Sequence, residues 1–287
     1  MWHRLADLSP KNFLKPNPRP PKRLKSIFPI NQMALGFFGF GNIARALVQG
    51  LRMAGDDRPV WVFKRSPLVD APAGVVLKPL DQVLACETLV LAVKPQQWVG
   101  LAQKPKVSAN TVVISVMAGL PLSRLRDDLQ GHEAVVRAMP NLPMVYGQGM
   151  TGLVGDSPQA LAVAAALFSG VGQVVTVSEN ELNAVTALSG SGPAFLYRLA
   201  ESAIQAGCQM GLSEADARRL FAQAMVGAGT VLLNRETSPK ALVAEVASPG
   251  GTTEAGLNTF ADRNIDPDFQ AVIVNACRRA QELSTLS

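Results

Sequence analysis

Short runs of apolar residues, each bounded by polar, glycine or proline residues, dominate the chain up to about residue 178. Runs of this length without alternation are typical of strands buried on both faces of a parallel sheet, and stretches with helical periodicity separate several of them. This alternation predicts an α/β fold with a doubly wound sheet of about eight strands. The predicted strands are residues 34–38, 60–63, 89–93, 111–116, 134–138, 150–154 and 173–177, and a helix is predicted over residues 160–168.

From residue 179 onward the apolar residues follow a helical period instead. The predicted helices are residues 182–188, 193–210, 214–233, 240–246, 252–260 and 267–283, with a break at 190–192. The helix that begins near Pro193 is apolar around most of its circumference, as is typical of a helix buried on all sides. Because this part of the chain is small, the pattern predicts burial against a second subunit, and hence an all-α dimerisation domain after the sheet.

A glycine-containing turn follows the first predicted strand. Gly39, Gly41 and Ala44 form the pattern G-x-G-x-x-A, and apolar residues at helical spacing come after it. This strand–turn–helix context is typical of a Rossmann-type dinucleotide-binding domain, in which the first glycine allows a tight turn and the second lets a pyrophosphate approach the backbone. The N-terminus of the following helix offers free N–H groups to phosphates. An ordinary glycine turn is the alternative interpretation.

Lys64, Arg65 and Ser66 follow the second predicted strand, where such a domain distinguishes NAD from NADP. An NAD-preferring site places Asp or Glu here, whereas Asp56 and Asp57 come too early, before the strand. The Arg65 guanidinium, with Lys64 and Ser66 beside it, is suited to a 2′-phosphate. The sequence therefore favours NADPH, and a solvated pair of surface charges is the alternative.

Two glycine-rich segments occur in the helical part, SGSGPA at residues 189–194 and SPGGTT at residues 248–253. Each opens a predicted helix with small residues, hydroxyl groups and exposed backbone N–H groups. Both are fit to bind an anion such as a substrate carboxylate. Helix capping and close packing are equally good interpretations of either segment taken alone.

Positive charge is concentrated at the start of the chain. The formal net charge of the 287 residues is +5, but residues 1–32 hold seven Lys and Arg residues against one acidic residue, Asp7. The rest of the chain is close to neutral, which argues against nucleic acid as its partner. Six prolines and few core-forming residues predict that this segment is disordered. It lacks the continuous apolar region of a secretory signal. A transit peptide, a nucleic-acid-binding arm and a dispensable extension before Met33 are the roles left open for it.

No stretch reaches the ~20 uninterrupted apolar residues of a membrane span. We therefore expect a disordered basic tail over residues 1–32, a Rossmann-type NADP-binding domain over 33–178 and a helical dimerisation and substrate domain over 179–287. Cys86, Cys208 and Cys277 are odd in number and set among apolar residues. They predict buried free thiols in a reducing cytoplasm, with neither disulfides nor a metal site.

Five motifs occur in a fixed order: Gly39-Phe40-Gly41-Asn42, Ala92-Val93-Lys94-Pro95, Met139-Pro140-Asn141 and the two glycine-rich segments. Together they resemble the pyrroline-5-carboxylate reductase family, and the similarity extends from Met33 to the C-terminus. The resemblance implies reduction of the cyclic imine pyrroline-5-carboxylate to L-proline, the last step of proline biosynthesis. NADPH is the implied hydride donor, with NADH as an alternative. The implied assembly is a cytoplasmic homodimer with interlocked helical domains, which in many members forms a pentamer of dimers.

The same resemblance implies the site residues. The implied cofactor residues are Gly39, Phe40, Gly41, Asn42, Ile43, Lys64, Arg65, Ser66, Ala92, Val93, Lys94, Pro95, Val116, Met117 and Ala118. The implied substrate residues are Asn141, Glu179, Glu236, Ser248, Gly250, Gly251, Thr252 and Thr253. Thr253 is the implied catalytic residue, in contact with the ring nitrogen. Asn183 stands where many members have Asp, and residues 79–82 lack an Asn that some use near the adenine.

The supply of acid–base side chains agrees with an imine substrate. A hydroxyacid dehydrogenase needs an acid/base for the alcohol, commonly His or Lys. The two histidines here are His3 and His132, and Lys240 is the only lysine from residue 107 onward. An iminium carries its own positive charge and accepts hydride without a strong protein acid. A β-hydroxyacid dehydrogenase-like oxidoreductase and a non-catalytic dinucleotide-binding sensor are the alternative functions.

Overall fold

One eight-stranded sheet spans residues 35–176 in the computed structural model, which describes residues 34–285. The basic segment predicted over residues 1–32 lies outside the described residues. The seven predicted strands are present to within two residues at each end. The strands are β1 (Leu35–Phe38), β2 (Val60–Phe63), β3 (Val75–Leu77), β4 (Thr88–Leu91), β5 (Val112–Ser115), β6 (Val135–Met139), β7 (Gly149–Val154) and β8 (Gly172–Thr176).

The order of strands across the sheet is β3-β2-β1-β4-β5-β6-β7-β8. β1 pairs in parallel with both β2 and β4, so the progress of the chain across the sheet reverses at β1. A crevice forms beyond the carboxyl ends of the strands at such a point, and ligands of doubly wound sheets bind there. β7 runs antiparallel to β6 and parallel to β8.

Both faces of the sheet are covered, as the unbroken apolar runs predict. Phe37 belongs to the apolar core on one face and Phe38 to the core on the other, and neither is more than 6% exposed. Helices that follow the strands cover these faces, which confirms the predicted α/β, doubly wound fold class. These helices are α1 (Asn42–Met53), α2 (Leu80–Leu84), α3 (Pro95–Val99), α4 (Leu122–Asp128) and α5 (Pro158–Ser169), with a 3₁₀ helix at Leu142–Tyr146.

The rest of the described chain is helical, as predicted. A 3₁₀ turn at Glu179–Glu181 leads into α6 (Leu182–Val185) and a π-helix at Thr186–Gly190. The helices that follow are α7 (Gly192–Gln209), α8 (Glu214–Asn234), α9 (Pro239–Val246), α10 (Thr252–Asp262) and α11 (Ile265–Thr285).

The helix break predicted at residues 190–192 is confined to one residue, Ser191, which lies between the π-helix and α7. The π-helix runs almost directly into α7, and the Ser191 N–H donates to the Thr186 carbonyl at 2.8 Å, five residues back. The SGSGPA segment therefore widens the last helical turn before Ser191 and interrupts the helix at that residue alone. Such π segments are common at functional sites.

Helices α7 to α11 bury little of their own apolar surface. Gly207 is the only buried residue of α7, and Ala217 is the only one of α8. Large apolar side chains remain exposed along both helices, among them Leu199 at 45% and Val226 at 61%. The apolar helix predicted from Pro193 is thus present, but its surface is uncovered within one chain.

The three cysteines are free thiols, as expected, although their burial differs. Cys86 is buried, and burial raises the pKa of its thiol to about 11. Cys208 is exposed on α7, so its predicted burial is wrong for a single chain, and Cys277 is half-buried. Among the described helices, none has the length and apolar character to cross a membrane.

Candidate active site

The turn after β1 can be formed only by glycine at its first position. Gly39 has φ +89°, and a Cβ atom there would lie 2.5 Å from Val93 Cγ1 and 2.8 Å from the Ala92 carbonyl oxygen. A Cβ at Gly41 would meet no described atom within 4 Å, because this residue faces open space at the start of α1. The first glycine thus lets two strand ends approach each other, and the second leaves the helix N-terminus accessible.

Backbone hydrogen bonds align the ends of the three central strands. The Gly39 N–H donates to the Phe63 carbonyl at 2.8 Å, and the Ala92 N–H donates to the Phe38 carbonyl at 2.9 Å. The carboxyl ends of β1, β2 and β4 therefore lie side by side, at the point where the strand order reverses. This arrangement places the predicted cofactor segments side by side.

A cavity of about 1080 Å³ lies over these strand ends. Its walls include nine of the predicted cofactor residues: Gly39, Phe40, Gly41, Lys64, Arg65, Ser66, Ala92, Val93 and Lys94. Asn42 begins α1 and Pro95 begins α3, each directly after a lining residue. This volume is large enough for a ligand of dinucleotide size.

The cavity wall is basic. Lys64, Arg65, Lys94, Lys104 and Lys106 line it, and its described lining contains no acidic residue. Lys104 is held in place, because its Nζ donates to the Trp98 carbonyl at 2.6 Å and lies 5.5 Å from the centre of the Trp98 ring. Side chains of one charge in a concave wall concentrate a field that attracts an anionic ligand.

One wall of this cavity is apolar, and the sequence points only to residues 79–82 of it, through the family resemblance. Leu80, Leu84 and Leu101 line it together with the backbone of Gly100. Their signal in the sequence is faint, because short helices such as α2, with five residues, carry no clear period. These apolar side chains offer a surface to a flat ring.

Met117 and Ala118 line a different and much smaller cavity, of about 40 Å³. Its other walls include Arg137 of β6, Asn183 and Thr186 of the helices after the sheet, and Leu283 of α11. The predicted loop at 116–118 therefore lies where the sheet meets the helical part of the chain.

Glu179 is engaged by groups of the protein itself. Its Oε1 forms an ion pair with Arg137 Nη1 and accepts a hydrogen bond from the Leu122 N–H at 3.3 Å. Its Oε2 is buried without a hydrogen-bond partner among the described residues. Arg137 was missed from the sequence, although a charged residue inside the apolar run 134–138 is a signal that could have found it.

Asn141 also makes internal contacts. This side chain is 7% exposed, its Nδ2 donates to the Ser189 carbonyl at 2.9 Å and its Oδ1 accepts from the Met150 N–H at 2.9 Å. Asn141 thereby joins the end of β6 to β7 and to the π-helix. One of the two glycine-rich segments is thus fixed against the carboxyl edge of the sheet.

The second glycine-rich segment is exposed. Gly250 has φ +70°, and its N–H donates to Glu254 Oε2 at 2.8 Å. Thr252 begins α10, and Thr253 follows it with an exposed side chain. This segment lines neither of the two cavities, and Glu236 is likewise exposed, between α8 and α9.

His132 lies at the edge of the sheet opposite to the cavities. Its ring nitrogen Nε2 is 2.7 Å from the carbonyl oxygen of Thr111, which precedes β5. This places it at the amino ends of the parallel strands, away from the strand ends that form the site. Within residues 34–285, no cluster of three or more His, Cys, Asp or Glu side chains could hold a metal ion.

Comparison with known proteins gives consistent results for both parts of the chain. Residues 179–283 match the family described as pyrroline-5-carboxylate reductase dimerisation, and residues 34–119 match the family described as NADP oxidoreductase coenzyme F420-dependent. A pyrroline-5-carboxylate reductase of Synechocystis sp. is 39% identical over 261 residues, which cover 87% of this chain and 97% of that protein. One of Thermus thermophilus is 37% identical over 264 residues, covering 88% and 98%. The solved structure of a pyrroline-5-carboxylate reductase from Coxiella burnetii has a TM-score of 0.74 and 32% identity, covering 88% of this chain and 98% of that one.

Proposed function

This chain belongs to the pyrroline-5-carboxylate reductase family, and from that membership we infer that it reduces pyrroline-5-carboxylate to L-proline with NADPH. The reaction is the last step of proline biosynthesis. The structural observation that carries the inference is the large basic cavity at the reversal of strand order, over a turn that requires glycine. This is a site for a phosphorylated dinucleotide, which a reductase of this kind needs.

The residues present fit that cofactor. The open space at Gly41 and the free N-terminus of α1 suit a pyrophosphate, because backbone N–H groups and the helix dipole both favour an anion there. Arg65 and Lys64, with the Ser66 hydroxyl, suit the 2′-phosphate that distinguishes NADPH from NADH. When bound, NADPH supplies the hydride to the imine carbon.

The remaining tasks fall to side chains of the protein. We propose that the N–H groups at the start of α10 hold the substrate carboxylate, with Ser248, Gly250, Gly251 and Thr252 around it. The hydroxyl of Thr253 would contact the ring nitrogen and so orient the imine carbon toward the hydride donor. The positive charge of the iminium makes its carbon electrophilic enough to accept the hydride, so Thr253 does not need to be a strong acid.

Asn141, Glu179 and Glu236 are also proposed to lie near the substrate. The contacts of Asn141 and Glu179 support an indirect part for these two, since their polar atoms are bonded within the chain or buried. Each holds a backbone segment at the carboxyl edge of the sheet. Exposure of Glu236 leaves its carboxylate free to approach the site in an assembled oligomer.

The helical part forms the oligomer, as its family match and its exposed apolar surface indicate. We propose a homodimer with interlocked helices, which can assemble further into a pentamer of dimers. Residues 248–253 line neither cavity of their own chain, which supports a site completed by the second copy.

We also propose a domain boundary between residues 178 and 179, which the end of β8 at Thr176 supports. A cytoplasmic location is proposed as well, and the three free thiols support it.

A spectrophotometric assay of NADPH oxidation tests this function. With pyrroline-5-carboxylate, NADPH should be oxidised in proportion to the L-proline formed. In the opposite direction, β-hydroxyacids should not reduce NADP to NADPH. Reduction of NADP by a β-hydroxyacid would favour the dehydrogenase alternative. Tight NADPH binding without turnover of either substrate class would favour the non-catalytic sensor.

A further inference from the structure

Arg137 is an unusual residue for the centre of a sheet. It lies in β6, paired with Ser115 of β5 on one side and with Val154 of β7 on the other, and it is 6% exposed. Among the residues that the structure describes, it is the only charged one in the buried set. A buried charge is unfavourable unless it is paired, so the surroundings of Arg137 must be arranged for it.

Its partner connects three segments of the chain. Glu179 lies three residues after the end of β8, at the start of the helical part, and pairs with Arg137 through one carboxylate oxygen. The same oxygen accepts from the backbone N–H of Leu122, the first residue of α4. The ion pair therefore ties β6, the start of α4 and the entry to the helical part to one another.

This ion pair lies next to residues 116–118, which the family resemblance implies for binding of the cofactor. Arg137 lines the small cavity together with Met117, Ala118 and Gly119, which belong to the loop between β5 and α4. It does not line the large cavity, and its Nε is buried with no hydrogen-bond partner among the described residues. Arg137 is thus near the site but out of reach of a ligand in the large cavity.

We propose that Arg137 is a positioning residue for hydride transfer. Through Glu179 it fixes the first residue of α4, and with it the preceding loop at 116–121, relative to the helical part. The proposal rests on the proposed function, and it adds the assignment that this loop sets where the nicotinamide ring lies relative to the substrate. A misplacement of reacting groups by about 1 Å can cost on the order of 10²-fold in rate, even when binding is unchanged.

The experiment compares Arg137→Met with Arg126→Met in the full chain. Arg126 lies on α4, pairs with Asp156 at 2.6 Å and also has buried nitrogens without described partners, but it lies outside both cavities. It is therefore a matched control for losing a guanidinium. We expect Arg137→Met to lower kcat by about 10- to 100-fold and to raise the primary deuterium isotope effect of the hydride, with KM for NADPH within about threefold. Arg126→Met should change only the melting temperature.

A second readout does not depend on turnover. The fluorescence anisotropy of the nicotinamide of bound NADPH should fall in Arg137→Met and stay at the wild-type value in Arg126→Met. Wild-type protein that binds NADPH but does not turn over pyrroline-5-carboxylate would contradict the proposed function, whereas the anisotropy would still test the role of Arg137. Wild-type kcat, isotope effect and anisotropy in Arg137→Met would overturn the proposal.

Loss of folding in Arg137→Met is addressed by a double variant, Arg137→Met with Glu179→Leu. Arg137 is buried, whereas the Glu179 side chain is 38% exposed with one buried oxygen. Replacing both members of an ion pair that is at least partly buried by apolar residues is often neutral for stability, whereas removing one leaves the other unpaired. We expect the double variant to recover the melting temperature and to keep the low kcat. Recovery of kcat together with the melting temperature would show that the pair serves stability alone, and failure of the double variant to fold would equally count against a positioning role.

Discussion

Among single residues, Arg65 is the one whose charge bears most directly on cofactor choice. It lies at the carboxyl end of β2, exposed on the wall of the basic cavity. Arg65→Ala should weaken the binding of NADPH by roughly 10- to 150-fold, the range expected for one charge-assisted hydrogen bond, and should change the binding of NADH little. Steady-state KM values with the two cofactors measure this. An equal loss with both would give Arg65 a structural role instead of contact with the 2′-phosphate.

Thr253 is the residue on which the chemical step is expected to depend. Thr253→Val keeps the shape of the side chain and removes its hydroxyl, and the loss of one positioned hydrogen bond costs ~2–4 kcal/mol in a dry site. We expect kcat to fall about 10²-fold or more, with little change in KM for NADPH or in the melting temperature.

Thr259 provides the control for that substitution. It lies on the same helix, α10, and its hydroxyl donates to the Ala255 carbonyl one turn back, at 3.3 Å. Thr259→Val should therefore keep wild-type kcat. Wild-type turnover in a folded Thr253→Val oligomer would remove Thr253 from the mechanism.

Sequence reasoning at this scale is good for residues whose backbone dictates their identity. Gly39 is an example, because its positive φ and its close approach to Val93 and Ala92 exclude every other residue. It fails for Arg137, whose partner Glu179 is 42 residues away. For Asn141 it predicts a position near the site but not the contacts of the side chain, because Ser189 and Met150 are brought next to Asn141 only when the chain folds.

At the scale of elements, the turn between β1 and α1 separates a folding role from a binding role. Gly39→Ala places a methyl group 2.5 Å from Val93 Cγ1 at φ +89°, so we expect the free energy of unfolding to fall by at least ~1–3 kcal/mol. Gly41→Ala meets no described atom and should cost less than about 1 kcal/mol. Gly41→Ala should still weaken the binding of NADPH by roughly tenfold or more, because the added methyl group occupies the space for the pyrophosphate.

Thermal melting and NADPH titration of the two variants distinguish these effects. The prediction is a crossed result, with stability lost mainly in Gly39→Ala and affinity lost mainly in Gly41→Ala. A Gly41→Ala protein that binds NADPH as tightly as wild type would mean that no phosphate approaches this turn.

The elements that the sequence predicted well are those buried on both faces. The central strands have continuous apolar runs, and their ends are right to within two residues. β3 was missed because it has three residues at the sheet edge and is largely exposed, so packing leaves little trace in its sequence. The break predicted at 190–192 is wider than the single residue Ser191 because small residues are typical of both a break and a π-helix, and the hydrogen-bond register that distinguishes them is set by the neighbouring segments.

For the whole molecule, the two parts of the chain differ in how they are stabilised. The sheet has an apolar core on each face, whereas α7 and α8 together bury only two residues within the chain. Apolar helices with no core of their own need a partner surface, which the sequence already indicated through the helix near Pro193. The sequence could not give the geometry of that partner surface, because the side chains of helices from two chains are matched only in three dimensions.

Val226 offers a direct test of that dependence. It lies in the middle of α8, 61% exposed in one chain, beside Gly227 and Gly229, whose missing side chains leave room for close helix approach. Burying an unpaired carboxylate in an apolar interface costs ~3–5 kcal/mol, so Val226→Glu should raise the dissociation constant of the oligomer by at least roughly 10²-fold.

Sedimentation velocity should show Val226→Glu as a monomer at concentrations where wild type is an oligomer. We expect the monomer to bind NADPH normally, because the large cavity belongs to one chain, but to lose at least tenfold in kcat, because residues 248–253 are proposed to act with the second copy. Met53→Glu is the matched control, since Met53 is 67% exposed at the end of α1 and lies outside the helical part. A monomer with wild-type kcat would place the whole site within one chain, and an intact oligomer would move the interface away from α8.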